Sequence, residues 1–273
     1  MGYGFPPSNA RDMDAWYQSE NGAMALRLQM VLMMRLLGPF RGLRLLDVGC
    51  GAGHHMELFR REGFFVVGLD SSKTALSLAR ERLGFKVRLF HGQAEKLPFH
   101  DDEYDIVTLI HTLEFLDHPE AALAEAFRVA KRHVFVGVIN STSLTSIGYR
   151  VKGFFAASHR NNFRRFSLWD VSRMMKATEI PCHIHWATTG VLPGSLTGRA
   201  VFLETDPLVQ RNPFGAFLGV SASLAETIQS YDPVKKLGLN HVRARPAASP
   251  TAKAHFNCVP ENGKDVDNWV GGT

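Results

Sequence analysis

The chain has 273 residues, 45% apolar and 21% charged, a composition that suits one large or two small globular domains and excludes disordered and collagen-like chains. Its net charge of +5, from 31 basic and 26 acidic residues, is too mild to demand a nucleic-acid partner. Three cysteines without a C-x-x-C spacing, and twelve histidines without ligand spacing, point to no metal site and to a reducing, cytoplasmic setting.

Asp12 to Phe40 reads as one or two helices. The apolar patch from Ala23 to Phe40 is interrupted by Arg27, Gln29 and Arg35, so it is no membrane span, and its methionines suit packing on a sheet. The N-terminus lacks the basic start and apolar core of a signal peptide. A strand–helix alternation follows, with strands expected near 43–48, 64–69, 87–90, 105–110 and 133–139. Ser71-Ser72 caps a helix from Lys73 to Leu83, and Ser167 caps one running to about Ala177. A sixth strand is expected at 182–188. Thr197 to Val209 is ambiguous between helix and strand, and Pro213 to Val220 reads as the final strand. The alternation predicts an α/β fold, a doubly wound parallel sheet with helices on both faces.

Leu45-Leu46-Asp47-Val48 followed by Gly49-Cys50-Gly51-Ala52-Gly53 is a buried strand running into a glycine turn, and His54-His55-Met56-Glu57 opens a helix after it. This G-x-G-x-G differs from the dinucleotide fingerprint G-x-G-x-x-G. Asp47 would also repel a pyrophosphate but suits a cationic ligand. Asp70, 21 residues after Gly49 (70 − 49) at the end of a second apolar strand, stands where a carboxylate reaches a ribose diol. Gly49, Asp70, Gln93 and His111 all follow strand ends, so a doubly wound sheet brings them to one crevice.

The glycine segment resembles the first motif of class I S-adenosylmethionine (SAM) methyltransferases. His91-Gly92-Gln93-Ala94-Glu95-Lys96-Leu97-Pro98-Phe99 with Tyr104-Asp105-Ile106-Val107 is similar to the G-D-A-x-x-L-P-F … F-D-x-V pattern of the ubiquinone- and menaquinone-biosynthesis methyltransferases. Ile106 to Pro119 is similar to the family's following strand and His-bearing loop. The resemblance spans roughly residues 12–222 and implies a Rossmann-like, seven-stranded sheet, mostly parallel, whose last strand pairs antiparallel with the sixth. It implies SAM as cofactor and S-adenosylhomocysteine (SAH) as product. Asp47, Gly49, Cys50, Gly51, Gly53, Asp70, Ser71 and His111 would hold SAM. Gln93, where the family has an acid, and the backbone of Ala94 would meet adenine. His111 is the candidate base. His54 and His55 are further candidates for the pocket, and Glu114 and His118 suit either the site or a helix start at the surface.

The resemblance implies a helical lead-in and cofactor cover at 1–40 and a SAM-binding domain at 41–222 with a substrate lid at 140–166; the extension at 223–273, rich in Pro, Ala, Asn, Gly and charge from His241, reads as poorly ordered beyond about 241. The Arg160, Arg164 and Arg165 cluster lies in that lid and suits either a solvated face or an anionic acceptor. A small-molecule methyl acceptor is expected; neither the acceptor nor the oligomeric state is legible. The alternatives are a non-catalytic SAM-binding or interaction protein of the same fold, or an NAD-dependent oxidoreductase. The stretch His111-Thr112-Leu113-Glu114 stands where amino methyltransferases of DNA bases carry N-P-P-Y or D-P-P-Y.

Overall fold

Short β-rich apolar runs alternate with amphipathic segments along the chain, and the computed structural model folds them as a sheet covered on both faces. It describes residues 10–38, 41–143, 146, 164–191 and 201–224, all within one unit, Met1–Gln229. The strands are β1 (Arg44–Val48), β2 (Phe65–Asp70), β3 (Arg88–His91), β4 (Tyr104–Ile110), β5 (Ala130–Ile139), β6 (Cys182–Thr189) and β7 (Phe217–Leu224). Their order is β3-β2-β1-β4-β5-β7-β6. The first five run parallel, and β7 is antiparallel to both β5 and β6. The order reverses at β1 and β4, where such sheets open a crevice at the strand C-termini.

The helices that matter for the site are α1 (Ala10–Gln18), α2 (Glu20–Leu37), α3 (His54–Arg61), α4 (Lys73–Leu83), α5 (Pro119–Val129) and α6 (Leu168–Lys176). Side chains alternate across β1, so Leu46 and Val48 pack with Leu123 and Phe127 of α5 and Met175 of α6. Leu45 faces the other way, into a core with Leu32, Met33 and Leu37 of α2 and Phe59 of α3. Both faces are thus dry, which explains why β1 and β4 read as continuous apolar runs. Met30 and Met33 fill this core, as their place in the sequence suggests, and no helix among the described residues is long and apolar enough to cross a membrane.

The capping signals hold. Ser72 accepts from Ala75 N at 3.2 Å at the start of α4. Ser167 forms a reciprocal capping box with Asp170 at the start of α6.

One expectation is corrected and one ambiguity resolved. The last strand begins at Phe217 rather than Pro213. Pro213 lacks an N–H for the ladder, and Asn140 Nδ2 takes the carbonyls of Pro213 and Gly215 at 2.7 and 2.8 Å, so pairing with Ile139 and Thr189 starts two residues later. The ambiguous stretch before it is helical where described, as α7 (Val201–Glu204) and α8 (Pro207–Gln210), the latter capped by Asp206. The lid at 140–166 lies largely outside the described residues, as do the extension from 225 onward and the first nine residues.

Candidate functional site

A cavity of about 740 Å³ opens at the C-terminal ends of β1, β2 and β4. This is the size of a ligand pocket. Gly49, Cys50 and Gly51 form its floor, Asp70 and Ser71 one side, and Ile110, His111, Phe115 and Leu116 the other. Ala10, Met13 and Tyr17 of α1 contribute to its wall as well.

The glycine turn shows why its residue types matter. Gly49 has φ +75°, and a Cβ there would lie 2.4 Å from Thr112 Oγ1, which is itself fixed by donating to Val48 O at 2.8 Å. Gly51 has φ +54°, but no heavy atom lies within 4 Å of where its Cβ would stand. Its surface is left open to a ligand approaching the backbone.

Asp70 organises this wall. Its Oδ2 accepts from Gly51 N and its Oδ1 from Ser72 N, each at 2.8 Å. An ionised carboxylate offers about four acceptor positions, so about two stay available to a ligand. The same side chain therefore shapes the glycine turn, starts α4 and borders the cavity.

The structure brings Gly49, Cys50, Gly51, Asp70, Ser71 and His111 to the cavity wall, together with His54 and His55. It does not bring four other expected residues there. Asp47 is 2% exposed beneath the turn, on the face of β1 that packs against α2 and α3, and Thr108 Oγ1 donates to its Oδ1 at 2.8 Å. Burial raises its pKa to about 7; the Thr108 bond opposes the rise and Asp70 adds to it. Gly53 caps α3 and faces inward, where a Cβ would meet Leu83 Cδ1 at 2.8 Å. Its glycine thus serves helix–helix closeness. Gln93 is exposed and pairs in a small bridge with Lys96, and Ala94 is buried in the core with Leu69 and Leu97. The loop after β3 turns both away from the cavity wall.

His111 sits in the left-handed region at φ +53°, uncommon for a residue with a Cβ. Its N–H donates to Gly137 O at 2.7 Å, anchoring it to β5. Its Nδ1 is 3.3 Å from Glu114 Oε1, and its Nε2 is 3.3 Å from Gln29 Nε2. Gln29 Oε1 also accepts from His55 Nε2 at 2.9 Å. His55 is held neutral because burial, above all, drives its pKa well below the usual range.

Two features escaped the sequence reading. Gln29 looked like a polar interruption in α2, yet Ala25, Leu28, Gln29, Leu32 and Met33 follow the i, i+3, i+4, i+7, i+8 stripe and are all buried. That spacing is the signal that places Gln29 inside. Asp14 is the second. From α1 it accepts from His54 Nε2 at 2.8 Å and Arg82 Nη2 at 2.6 Å, tying α1 to the helices that flank the glycine turn. Nothing in the local sequence announces that contact.

Residues 46–136 match the methyltransferase domain family. A ubiquinone biosynthesis O-methyltransferase of Photobacterium profundum is 36% identical over 112 residues, 38% of this chain and 46% of that one. A demethylmenaquinone methyltransferase of Clavibacter sepedonicus is 35% identical over 107 residues, 38% of this chain and 44% of its own. The chain thus spans about half the length of the curated relatives it matches. Among solved structures, a SAM-dependent methyltransferase of Thermotoga maritima is 22% identical with a TM-score of 0.63, covering 78% of this chain and 95% of that one. The magnesium protoporphyrin IX methyltransferase of Synechocystis with bound SAH is 14% identical with a TM-score of 0.53, covering 82% of this chain and 91% of that one. These likenesses establish the fold.

Proposed function

We propose that this protein is a SAM-dependent methyltransferase that acts on a small-molecule acceptor. The observation that carries the reading is Asp70 at the cavity wall, bonded to the Gly51 amide, with acceptor positions to spare. A vicinal diol matches a carboxylate so placed. Gly49, Cys50 and Gly51 would lie against the methionine and ribose portions, Ser71 and Ser72 beside the nucleoside, and Ile110, Phe115 and Leu116 would supply apolar contact. Asp70, at the wall, suits a ligand with a positive end better than a pyrophosphate.

The cofactor supplies an electrophilic methyl group on sulfur with its own leaving group. The chain's residues therefore need only align the acceptor and exclude water. Tyr17 and Met13 on α1 and Phe115 across from them reduce solvent access. An acceptor that loses a proton needs a base, and His111, at the end of β4 on the cavity wall, is the candidate.

Calorimetric titration of SAH and of NADH into the full chain and into Asp70→Ala tests the reading. Micromolar binding of SAH, weakened by about 1.5–3 kcal/mol in the variant as expected for lost charged hydrogen bonds, supports it. Failure to bind SAH, or preference for NADH, removes it.

A further inference from the structure

Three histidines line the cavity, and their hydrogen-bond partners set them apart. Both ring nitrogens of His111 face buried groups, Glu114 at Nδ1 and the Gln29 amide at Nε2, each at 3.3 Å. His55 meets Gln29 Oε1 at 2.9 Å, a neutral partner that lends no support to a charged ring. His54 differs from both. Its Nε2 is 2.8 Å from Asp14 Oδ1, and among the described residues no group is hydrogen-bonded to its Nδ1.

The local sequence delivers this ring to the wall. Gly53 caps α3 at φ +79° without a side-chain bond, so His54 is the first residue after the glycine turn. The Tyr17 ring lies 4.8 Å from it between centres, tilted by 38°, and fixes its plane from α1. Asp14 is held in turn, because Arg82 Nη2 donates to the same Oδ1 at 2.6 Å. A carboxylate paired with arginine accepts, so His54 presents Nε2–H to it and keeps its lone pair on Nδ1.

We propose that His54 is the proton acceptor of the methyl-transfer step, through Nδ1, and that Asp14 is its positioning residue. The proposal rests on the methyltransferase reading. It replaces His111, the candidate by position, with a histidine that has a ring nitrogen to spare. It also narrows the acceptor to one whose methylated atom carries a proton. In that step the acceptor atom bonds to the methyl carbon, the carbon–sulfur pair stays on sulfur as a thioether, and the acceptor's proton passes to Nδ1. The imidazolium so formed points its Nε2–H at Asp14, the arrangement that stabilises a ring charged only during the reaction.

The charged groups around His54 come from three helices: Asp14 on α1, Arg82 on α4 and Glu57 on α3. Burial first, then Arg82, pushes its pKa below the ordinary 6.5, while the bond to Asp14 opposes the fall. The resting ring is therefore unprotonated at neutral pH and free to take a proton.

Ring-nitrogen NMR of the full chain with labelled histidine tests the assignment, His54 being identified by loss of its signals in His54→Gln. The wild type is expected to show Nε2–H and a bare Nδ1, and to protonate at Nδ1 with a midpoint below 6.5. Asp14→Asn should lower that midpoint. An Nδ1–H tautomer in the wild type overturns the proposal without any variant, and an unmoved midpoint in Asp14→Asn removes the positioning role. Transfer from labelled SAM to a panel of phenols and thiols graded in acidity supplies the kinetic arm. The loss in His54→Gln should grow as the acceptor becomes less acidic, reaching about 10²-fold or more; an equal loss across the panel overturns the base role. SAH binding is measured on the same samples. Its absence removes the methyltransferase reading while the tautomer and midpoint still report on the Asp14–His54 pair, so the two failures are distinct.

Discussion

Thr108 Oγ1 donates to Asp47 Oδ1 across β4 and β1 at 2.8 Å, with both side chains buried under the glycine turn. Burial holds Asp47 protonated up to about pH 7, against an ordinary value of 3.8. The folded state thus binds the proton more tightly than the unfolded chain does. Stability from this group is full below pH 3.8 and is lost as pH rises towards 7. Asp47→Asn, which carries no titratable proton, should therefore gain on the wild type across that window, by roughly 2–4 kcal/mol at pH 8. Denaturant unfolding at pH 4.5 and pH 8 measures this; a pH-independent difference would show that Asp47 does not titrate in this range.

The same carboxyl predicts proton-linked binding. A cationic ligand end above the turn favours ionised Asp47. SAH binding near pH 7 should then release a fraction of a proton, and affinity should rise with pH through that range. Titration in buffers of different ionisation enthalpy reads the proton count directly, and the release should vanish in Asp47→Asn.

Gly49 and Gly51 should respond differently to alanine. Both have positive φ, which costs a residue with a Cβ about 1–2 kcal/mol. At Gly49 the new methyl also collides with Thr112, whereas at Gly51 it meets no neighbour. Gly49→Ala should therefore lower Tm further than Gly51→Ala. Gly51→Ala should instead act on SAH affinity, through crowding of the backbone face that borders the cavity.

Asp14 joins α1 to His54 and Arg82. Asp14→Ala should release α1 from the cavity wall, at a cost of about 1.5–3 kcal/mol for the charged hydrogen bonds. Hydrogen exchange confined to residues 10–18, together with weaker SAH binding and little change in global Tm, is the expected result. Unchanged exchange in α1 would show that Tyr17 and its apolar neighbours hold the helix without Asp14.

Arg128 clamps the loop that follows β3. It bonds to both oxygens of Glu125 at 2.8 Å, to Asp101 at 2.7 Å, and to the carbonyls of Leu97 and Phe99 at 3.2 and 2.9 Å. This planar fork is a geometry lysine does not reproduce. Arg128 also holds the Glu125 carboxyl below its usual pKa. That part of the stability is present above the ordinary carboxylate range and fades as pH falls through the lowered value. Arg128→Lys should destabilise by about 1–2 kcal/mol at pH 7 and by less at low pH, as thermal melts across pH would record.

By itself the sequence determined what is local and periodic. Continuous apolar runs such as Leu45 to Val48 could be satisfied only by burial on both faces of a parallel sheet. Ser72 and Ser167 marked helix starts because their hydroxyls meet otherwise unpaired amides. The glycine turn and the acid at the end of β2 followed from steric and hydrogen-bonding needs confined to a few residues. Tertiary structure decided what depends on contacts far apart in the chain. Asn140, about 75 positions from Pro213 and Gly215, set where β7 begins. Side-chain facing sent Asp47 and Gly53 inward and the loop after β3 turned Gln93 and Ala94 from the cavity, because a strand end specifies a place but not a direction. It also joined Gln29, His55, His111 and Glu114, drawn from two helices and a loop, into one hydrogen-bonded chain. A buried polar group must find its partner in space, and spacing along the chain does not encode which one it finds.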